Sequence, residues 1–140
     1  MHTPSAARLQ TTRILLADDS TVERLAVAHF LRREGYDVDE ADDGRSAIEH
    51  LRNRTIDLLL LDLQMPGVDG FDVLAYVQHN RPGLPVVLIS GLAPDQIQGQ
   101  IRFLPRPELP PLLIKPVDLD QLLQLIDMQI NGTLPRTPAD

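Results

Sequence analysis

Residues 56–70, IDLLLLDLQMPGVDG, carry the strongest indication of the fold class of this chain. Its first part, residues 56–63, is apolar almost without interruption, which predicts a strand buried on both faces. Such strands occur in parallel sheets that helices cover on both sides. A turn over residues 65–70 follows, and residues 69–80 have the pattern of a helix. The stretch therefore predicts one strand–helix unit of an α/β protein.

Four more apolar runs, each followed by an amphipathic stretch, repeat this alternation along the chain. The other predicted strands are RILLAD (13–18), YDVDEA (36–41), LPVVLISG (84–91) and PLLIK (111–115). Connections between neighbouring parallel strands are right-handed crossovers, so strands that alternate with helices predict a parallel sheet. Five such units predict an α/β fold with a doubly wound, five-stranded parallel sheet.

The first predicted helix follows RILLAD. Ser20 and Glu23 have the spacing of a capping box, in which Ser20 caps the helix and the Glu23 side chain reaches back to it. Gly35 is placed to end the helix. The residues expected to face the core are Val22, Leu25, Ala26 and Phe30.

The composition excludes several classes of function. The formal net charge of −7 disfavours binding to a nucleic-acid backbone, and the absence of cysteine excludes disulfides, thiolate catalysis and cysteine-ligated metals. No apolar run has the roughly 18 residues of a membrane-spanning helix, and residues 1–13 lack the apolar core of a signal peptide. We therefore expect a cytoplasmic domain with no membrane partner and no nucleic-acid partner within this chain.

The length of 140 residues fits a single domain. We expect this domain to span residues 13–130. Residues 1–12 are expected to form a flexible N-terminal tail, and residues 131–140 a C-terminal tail or the start of a linker, because both ends are rich in proline, threonine and alanine.

Polar residues directly follow four of the apolar runs. Asp18 and Asp19 end the first strand, Asp62 the third, Ser90 the fourth and Lys115 the fifth. In a doubly wound sheet the carboxyl ends of the strands form the ligand-binding rim, so we expect these side chains to lie together. Three neighbouring carboxylates repel one another unless a cation joins them. An oxygen-only ligand set points to a hard ion, and Mg²⁺ is the natural choice.

These residue types suit the transfer of a phosphoryl group. An aspartate held rigidly after a buried strand, as Asp62 is, can attack phosphorus and form an acyl phosphate. Mg²⁺ and Lys115 would neutralise charge on the transferred group, and Ser90 would hydrogen-bond one of its oxygens. Taken singly, Asp19 and Ser90 also fit turn residues, and Lys115 fits a solvated strand end. Their combination at four strand ends favours a site.

Four segments of the chain carry a family resemblance. They are LLADDS (15–20), LLLLDLQMPGVDGFDVL (58–74), VVLISG (86–91) and LLIKPVD (112–118). In this order they resemble the successive signatures of the receiver domain of two-component response regulators, over about residues 13–128. The resemblance implies the flavodoxin-like (βα)5 receiver fold. It also implies a regulatory phosphoacceptor domain rather than an enzyme, with at most Mg²⁺-dependent self-phosphorylation and self-dephosphorylation.

The resemblance implies roles for the acidic residues of the rim. Asp62 takes a phosphoryl group from a phosphohistidine on a histidine kinase or a histidine phosphotransfer protein. Asp18 and Asp19 help to bind Mg²⁺, together with Asp62 and the backbone carbonyl of Gln64. The expected reaction is therefore Mg²⁺-dependent phosphorylation of Asp62 within a phosphorelay.

The resemblance also implies a switch. Ser90 turns toward the phosphoryl group and Lys115 pairs with it, which biases the ends of the fourth and fifth strands toward a second arrangement. An output partner, which the sequence does not identify, then binds the face made by helix 4, strand 5 and helix 5. A phosphorylation-dependent homodimer is a further expectation. The Lys115–Pro116 peptide is expected to be cis, as is usual in the family.

The chain departs from the family's pattern before the fifth strand. Leu112 stands where receivers usually carry a tyrosine or phenylalanine, and a proline-rich segment, residues 105–111, replaces the usual exit from helix 4. Gly99 interrupts the predicted helix over residues 93–104. We therefore expect a short or mobile helix 4 and no switch that depends on an aromatic side chain.

Two other functions stay open at this point. A pseudo-receiver, acting as a phosphorylation-independent interaction or dimerisation module, fits the altered output face but not the complete rim. A phosphatase of the haloacid dehalogenase type needs Asp-x-Asp-x-Thr after the first strand, whereas residues 18–21 read Asp-Asp-Ser-Thr. Phosphorylation of Asp62 with Mg²⁺ and a small phosphodonor separates the phosphoacceptor from the pseudo-receiver.

Overall fold

Five parallel strands form one sheet, in the order β2-β1-β3-β4-β5. The computed structural model describes residues 11–65, 67, 69–106 and 108–132. The elements are β1 (Arg13–Ala17), α1 (Thr21–Arg33), β2 (Asp37–Ala41), α2 (Gly44–Asn53), β3 (Leu58–Asp62), α3 (Gly70–Asn80), β4 (Val86–Ser90), α4 (Pro94–Ile101), β5 (Leu112–Ile114) and α5 (Leu119–Asn131). The predicted doubly wound α/β fold is confirmed.

The third strand lies in the middle of the sheet and is buried along its whole length. Its side chains alternate between two cores, with Leu59 and Leu61 on one face and Leu58 and Leu60 on the other. Helices α2, α3 and α4 cover the first face, and α1 and α5 cover the second. Burying each leucine side chain stabilises the fold by roughly 1.5–3 kcal/mol. This two-sided burial explains the four consecutive leucines of β3.

The buried face of α1 differs from the prediction. The residues of this helix that are buried against the sheet are Val27, Ala28 and Leu31. Val22 is 80% exposed and Leu25 is 52% exposed, Ala26 is also exposed, and only Phe30 of the predicted four packs partly against the core. The sequence of α1 carries apolar residues on more than one side, so helical spacing alone does not identify the side that meets the sheet.

Helix α4 is short, as predicted: it has eight residues and ends at Ile101. Part of the proline-rich segment that follows is fastened to α3. Gln78 Nε2 donates to the carbonyl oxygen of Arg106 at 3.1 Å, and the Arg106 backbone N–H donates to Gln78 Oε1 at 2.9 Å. Leu109, later in the segment, packs against the core on the α2, α3 and α4 side of the sheet. The segment that leads into β5 is therefore hydrogen-bonded to α3 through Arg106.

The ends of the chain are described only in part. Residues 1–10 and 133–140, on which most of the predicted tails fall, lie outside the described residues. Helix α5 continues to Asn131, with Gly132 as its C-cap at a φ of 66°, so ordered helix reaches just into the range predicted as a C-terminal tail. Within the described part of the chain, no helix combines the length and apolar character needed to cross a membrane.

We predict that Gln78→Ala lowers the free energy of unfolding by about 1 kcal/mol, because it removes two partly exposed hydrogen bonds to the proline-rich segment. Urea denaturation followed by circular dichroism measures this change. Gln124→Ala is the matched control, because Gln124 is an exposed glutamine within α5 and shares the gain in helix propensity. Equal stability of the two variants would contradict the role given to Gln78.

Candidate functional site

The carboxyl ends of the strands bring the predicted site residues to one rim of the sheet. Asp18 follows β1, Asp62 ends β3 and Ser90 ends β4. Lys115 follows β5, and its backbone N–H donates to the carbonyl oxygen of Ser90 at 2.9 Å. Because all of these strands are parallel neighbours, their last residues lie side by side. The parallel topology therefore assembles residues that are far apart in the sequence.

Three carboxylates form a cluster on this rim. Each of Asp18, Asp19 and Asp62 places an oxygen within 4.8 Å of the others. Asp62 is 0% exposed and Asp18 is 2% exposed, whereas Asp19 is exposed and opens the cluster to solvent. An oxygen-only donor set of this kind fits a hard divalent cation that keeps part of its water shell.

Burial changes the protonation of Asp18. The pKa of this carboxyl is raised to about 6, chiefly by burial and in smaller part by the neighbouring Asp62, although the backbone N–H of Ser20 and the charge of Lys115 lower it. The Ser20 N–H donates to Asp18 Oδ1 at 2.8 Å. A cation bound between these carboxylates would favour the ionised form of Asp18.

Both oxygens of Asp62 are held in place. Oδ1 accepts a hydrogen bond from the backbone N–H of Gln64 at 2.8 Å, and Oδ2 accepts one from Lys115 Nζ at 3.0 Å. A buried carboxylate needs such partners, because leaving it unpaired costs several kcal/mol. Gln64, whose carbonyl oxygen is a predicted metal ligand, thus lies on the same rim as Asp62.

Lys115 is the only lysine in the chain, and it contacts two carboxylates. Its Nζ lies 3.0 Å from Asp62 Oδ2 and 2.8 Å from Glu23 Oε2. Burial lowers the pKa of Lys115, but the hydrogen bonds to Glu23 and Asp62 and the charges of Asp62 and Asp18 outweigh it and hold the pKa above its ordinary value. Lys115 is therefore a fully charged cation on the rim. The peptide that follows it, Lys115–Pro116, is cis as predicted.

The contact of Glu23 with Lys115 was not predicted from the sequence. Its backbone N–H donates to Ser20 Oγ at 3.4 Å, as expected for the helix cap, but its carboxylate contacts Lys115 rather than the cap. The capping-box pattern had explained Glu23 as part of the start of α1, so its side chain was not expected beside the rim. No signal in the sequence relates Glu23 to Lys115, which follows β5, because only the tertiary fold brings the two side chains together.

Ser90 is fully buried at the end of β4. Its Oγ accepts a hydrogen bond from the backbone N–H of Leu92 at 2.8 Å. The next residue, Gly91, lies under the Gln64 side chain, since a Cβ placed there would lie 3.1 Å from Gln64 Oε1. The rim is therefore closely packed around Ser90, and the hydroxyl proton of Ser90 is available for a further acceptor.

Two more residues position the strand ends. Arg24 in α1 donates from Nη1 to the carbonyl oxygen of Asp18 at 2.9 Å and pairs through Nε with Glu40 at 3.1 Å. Gly70 begins α3 so close to β3 that a Cβ would lie 2.4 Å from the carbonyl oxygen of Asp62. Neither was singled out as a site residue from the sequence. Both act through the backbone rather than through contact with a ligand.

Comparison with known proteins identifies the family to which this chain belongs. The family model for the response regulator receiver domain matches residues 14–127. The chain belongs to this family. Transcriptional regulatory protein TcrA of Mycobacterium tuberculosis is 31% identical over 138 residues, covering 96% of this chain and 53% of TcrA. The receiver domain described here thus spans about half the length of that curated relative.

Solved receiver structures share the fold. A response regulator receiver protein from Pseudomonas putida aligns with a TM-score of 0.74 and 28% identity, covering 84% of this chain and 96% of that one. A CheY-like receiver domain protein from Methanospirillum hungatei aligns with a TM-score of 0.79 and 24% identity, covering 88% and 96%. The chain is therefore a receiver domain of the response regulator family and has its five-stranded fold.

We predict that Asp18→Asn stabilises the metal-free receiver at pH 7. The pKa of Asp18 is about 6 in the folded chain, against 3.8 for an ordinary aspartate, so the folded state binds more protons between these values. The free energy of unfolding therefore falls as pH rises through this window. Removing the ionisable group should raise stability at pH 7 by about 1–3 kcal/mol and flatten the dependence between pH 4 and 7.

Urea denaturation in EDTA, repeated at several pH values, measures the effect of Asp18→Asn. Glu49→Gln, which removes one charge from an exposed position within α2, is the control and should retain the fall in stability that Asp18→Asn loses. A less stable Asp18→Asn variant at pH 7, or one with an unchanged pH dependence, would contradict the assignment.

We predict that Gly70→Ala destabilises the domain by about 1–3 kcal/mol, because the new Cβ overlaps the backbone of β3 and cannot be accommodated by moving a side chain. Gly99→Ala is the control: a Cβ at Gly99 meets nothing within 4 Å, and alanine favours the interior of α4 by roughly 0.5–1 kcal/mol. Chemical denaturation of both variants should therefore give shifts of opposite sign. Shifts of the same sign would contradict the close approach of α3 to Asp62.

Proposed function

We propose that this receiver domain accepts a phosphoryl group on Asp62 in a Mg²⁺-dependent reaction. The observation that carries the proposal is the setting of Asp62: it is fully buried, with one oxygen on the Gln64 N–H and the other on Lys115. The neighbouring Asp18 and Asp19 complete an acidic cluster. A fixed carboxylate beside a cation and further acidic oxygens is suited to nucleophilic attack on phosphorus.

In the proposed reaction, an Asp62 carboxylate oxygen attacks the phosphorus of a phosphohistidine on a partner protein. The P–N bond breaks, its electron pair remains on the imidazole nitrogen, and Asp62 becomes an acyl phosphate. Lys115 balances negative charge on the transferred oxygens. We assign Asp18, Asp19, Asp62 and the carbonyl oxygen of Gln64 to Mg²⁺, which when bound supplies positive charge that offsets that of the phosphoryl group.

The same residues account for a switch after phosphorylation. The phosphoryl group adds a charge of roughly −1.5 to −2 and new acceptor oxygens. The Ser90 hydroxyl, which accepts from Leu92 N–H, can donate to one of these oxygens, and Lys115 can pair with another. Each gains an interaction that exists only in the phosphorylated state, so the ends of β4 and β5 are biased toward a second arrangement.

We assign output to the face formed by α4, β5 and α5. Ile114 on the edge strand β5 is 50% exposed and Phe103, just after α4, is 74% exposed, and exposed apolar side chains of this size suit a protein partner or a second copy of the chain. Leu112 packs partly against the core where receivers usually carry an aromatic ring. The proposed switch therefore works through Ser90 and Lys115 without an aromatic side chain.

The exposed residues of α1 support docking of the phosphodonor protein. Val22 and Leu25 are exposed on the helix that begins beside the acidic cluster. A histidine kinase or histidine phosphotransfer protein that covers these side chains would bring its phosphohistidine to Asp62. We place this exchange in the cytoplasm, as expected for a receiver domain.

We predict that the wild-type chain, incubated with Mg²⁺ and acetyl phosphate, gains the mass of one phosphoryl group, and that Asp62→Asn abolishes the gain because the nucleophile is lost. Intact-protein mass spectrometry measures it. Glu49→Gln, which removes the charge of an exposed carboxylate in the middle of α2, is the control and should behave as the wild type. EDTA should suppress the reaction.

No mass gain in the wild type, together with no binding of beryllofluoride, would contradict phosphoryl acceptance. The chain would then be a pseudo-receiver that acts as an interaction module. Mass gain that persists in Asp62→Asn would place the acceptor at another residue.

A further inference from the structure

Lys115 is shared between two carboxylates of different character. Asp62 is fully buried and lies 3.0 Å from Nζ, whereas Glu23 lies 2.8 Å from Nζ with its side chain 49% exposed. Lys115 is also the only lysine of the chain, so no other lysine side chain can take its place. A phosphoryl group on Asp62 would therefore have to pair with the Lys115 ammonium, which already contacts two carboxylates.

We propose that Glu23 is a positioning residue that competes with the phosphoryl group for Lys115 and thereby slows phosphorylation of Asp62. This inference rests on the proposed function of Asp62. It deepens that function by adding a residue of α1 to the group that controls the acceptor. Glu23 acts through Lys115 and does not itself touch the transferred group.

The two contacts of Lys115 differ in how easily they break. The Asp62 contact is buried, and the Gln64 N–H holds the same carboxylate from the other side, so Asp62 keeps Lys115 on the rim without help from Glu23. The Glu23 contact is half-exposed, and ion pairs in such places are weak because water stabilises the separated charges. The Lys115 ammonium can therefore leave Glu23 when a stronger anion arrives.

The charge of Glu23 opposes an incoming phosphoryl group in two ways. It occupies donors of Lys115 that the phosphoryl oxygens would use, and it adds a negative charge beside an anionic donor. The neighbouring Arg24 does not offset this charge, because its guanidinium is engaged with Glu40 and the Asp18 carbonyl oxygen. Glu23→Gln keeps the size of the side chain and removes the charge.

The test compares the full chain with its Glu23→Gln and Glu49→Gln variants. Glu49 is an exposed glutamate of α2, so its replacement makes the same change in net charge away from the rim. Phosphorylation by acetyl phosphate with saturating Mg²⁺ is followed by mass spectrometry. We expect Glu23→Gln to react about two- to fivefold faster than the wild type, the range of a half-exposed ion pair. High salt should reduce the difference.

A second measurement follows Lys115 directly. Because the chain has one lysine, labelling lysine with ¹⁵N at the side chain gives a single ammonium resonance. This resonance should be shifted in unphosphorylated Glu23→Gln but not in Glu49→Gln. Beryllofluoride should move it in the wild type as the ammonium leaves Glu23.

The outcomes separate this inference from the proposed function. If the wild type is phosphorylated and Glu23→Gln reacts at the wild-type rate or more slowly, the competition is wrong while the proposed function stands. An ammonium resonance that is identical in the wild type and Glu23→Gln would overturn the contact itself. A wild type that neither gains a phosphoryl group nor binds beryllofluoride overturns both.

Discussion

The structure depends on the burial of the Asp62 carboxylate, which is energetically unfavourable, at the end of a strand that is itself buried on both faces. Asp62 has no exposed surface, and a charge in that position must be met by hydrogen bonds or by an opposite charge. The backbone of the following turn meets one of its oxygens, and a lysine 53 residues away meets the other. Both oxygens of the Asp62 carboxylate are therefore fixed by hydrogen bonds within the protein.

This requirement extends to elements far from the rim. Lys115 reaches Asp62 only because β5 lies against β4, and the residues that lead into β5 are fastened to α3 through the two hydrogen bonds between Gln78 and Arg106. On the other side, Arg24 ties the end of β1 to β2 through Asp18 and Glu40. The proline-rich segment, whose sequence is typical of irregular chain, thus helps to position Lys115.

Much of the rim was predictable because its signals are local. Strands end where apolar runs meet a polar residue, and parallel topology brings those ends together, so Asp18, Asp62, Ser90 and Lys115 follow from the pattern. The buried side of α1 did not follow, because its apolar residues do not form one stripe and packing against the sheet selects Val27, Ala28 and Leu31. The ion pair of Glu23 was also missed, because a local capping pattern already accounted for that residue.

The receiver fold, the order of its strands and helices, and the residue types on the rim can all be predicted from the amino-acid sequence, since apolar periodicity and strand-end chemistry are properties of short segments. Packing of the whole domain sets which carboxylates share the single lysine, which side of α1 is exposed, and how the proline-rich segment is bonded to α3. These are contacts between segments distant in sequence. Their geometry depends on how whole elements pack, which no short segment encodes.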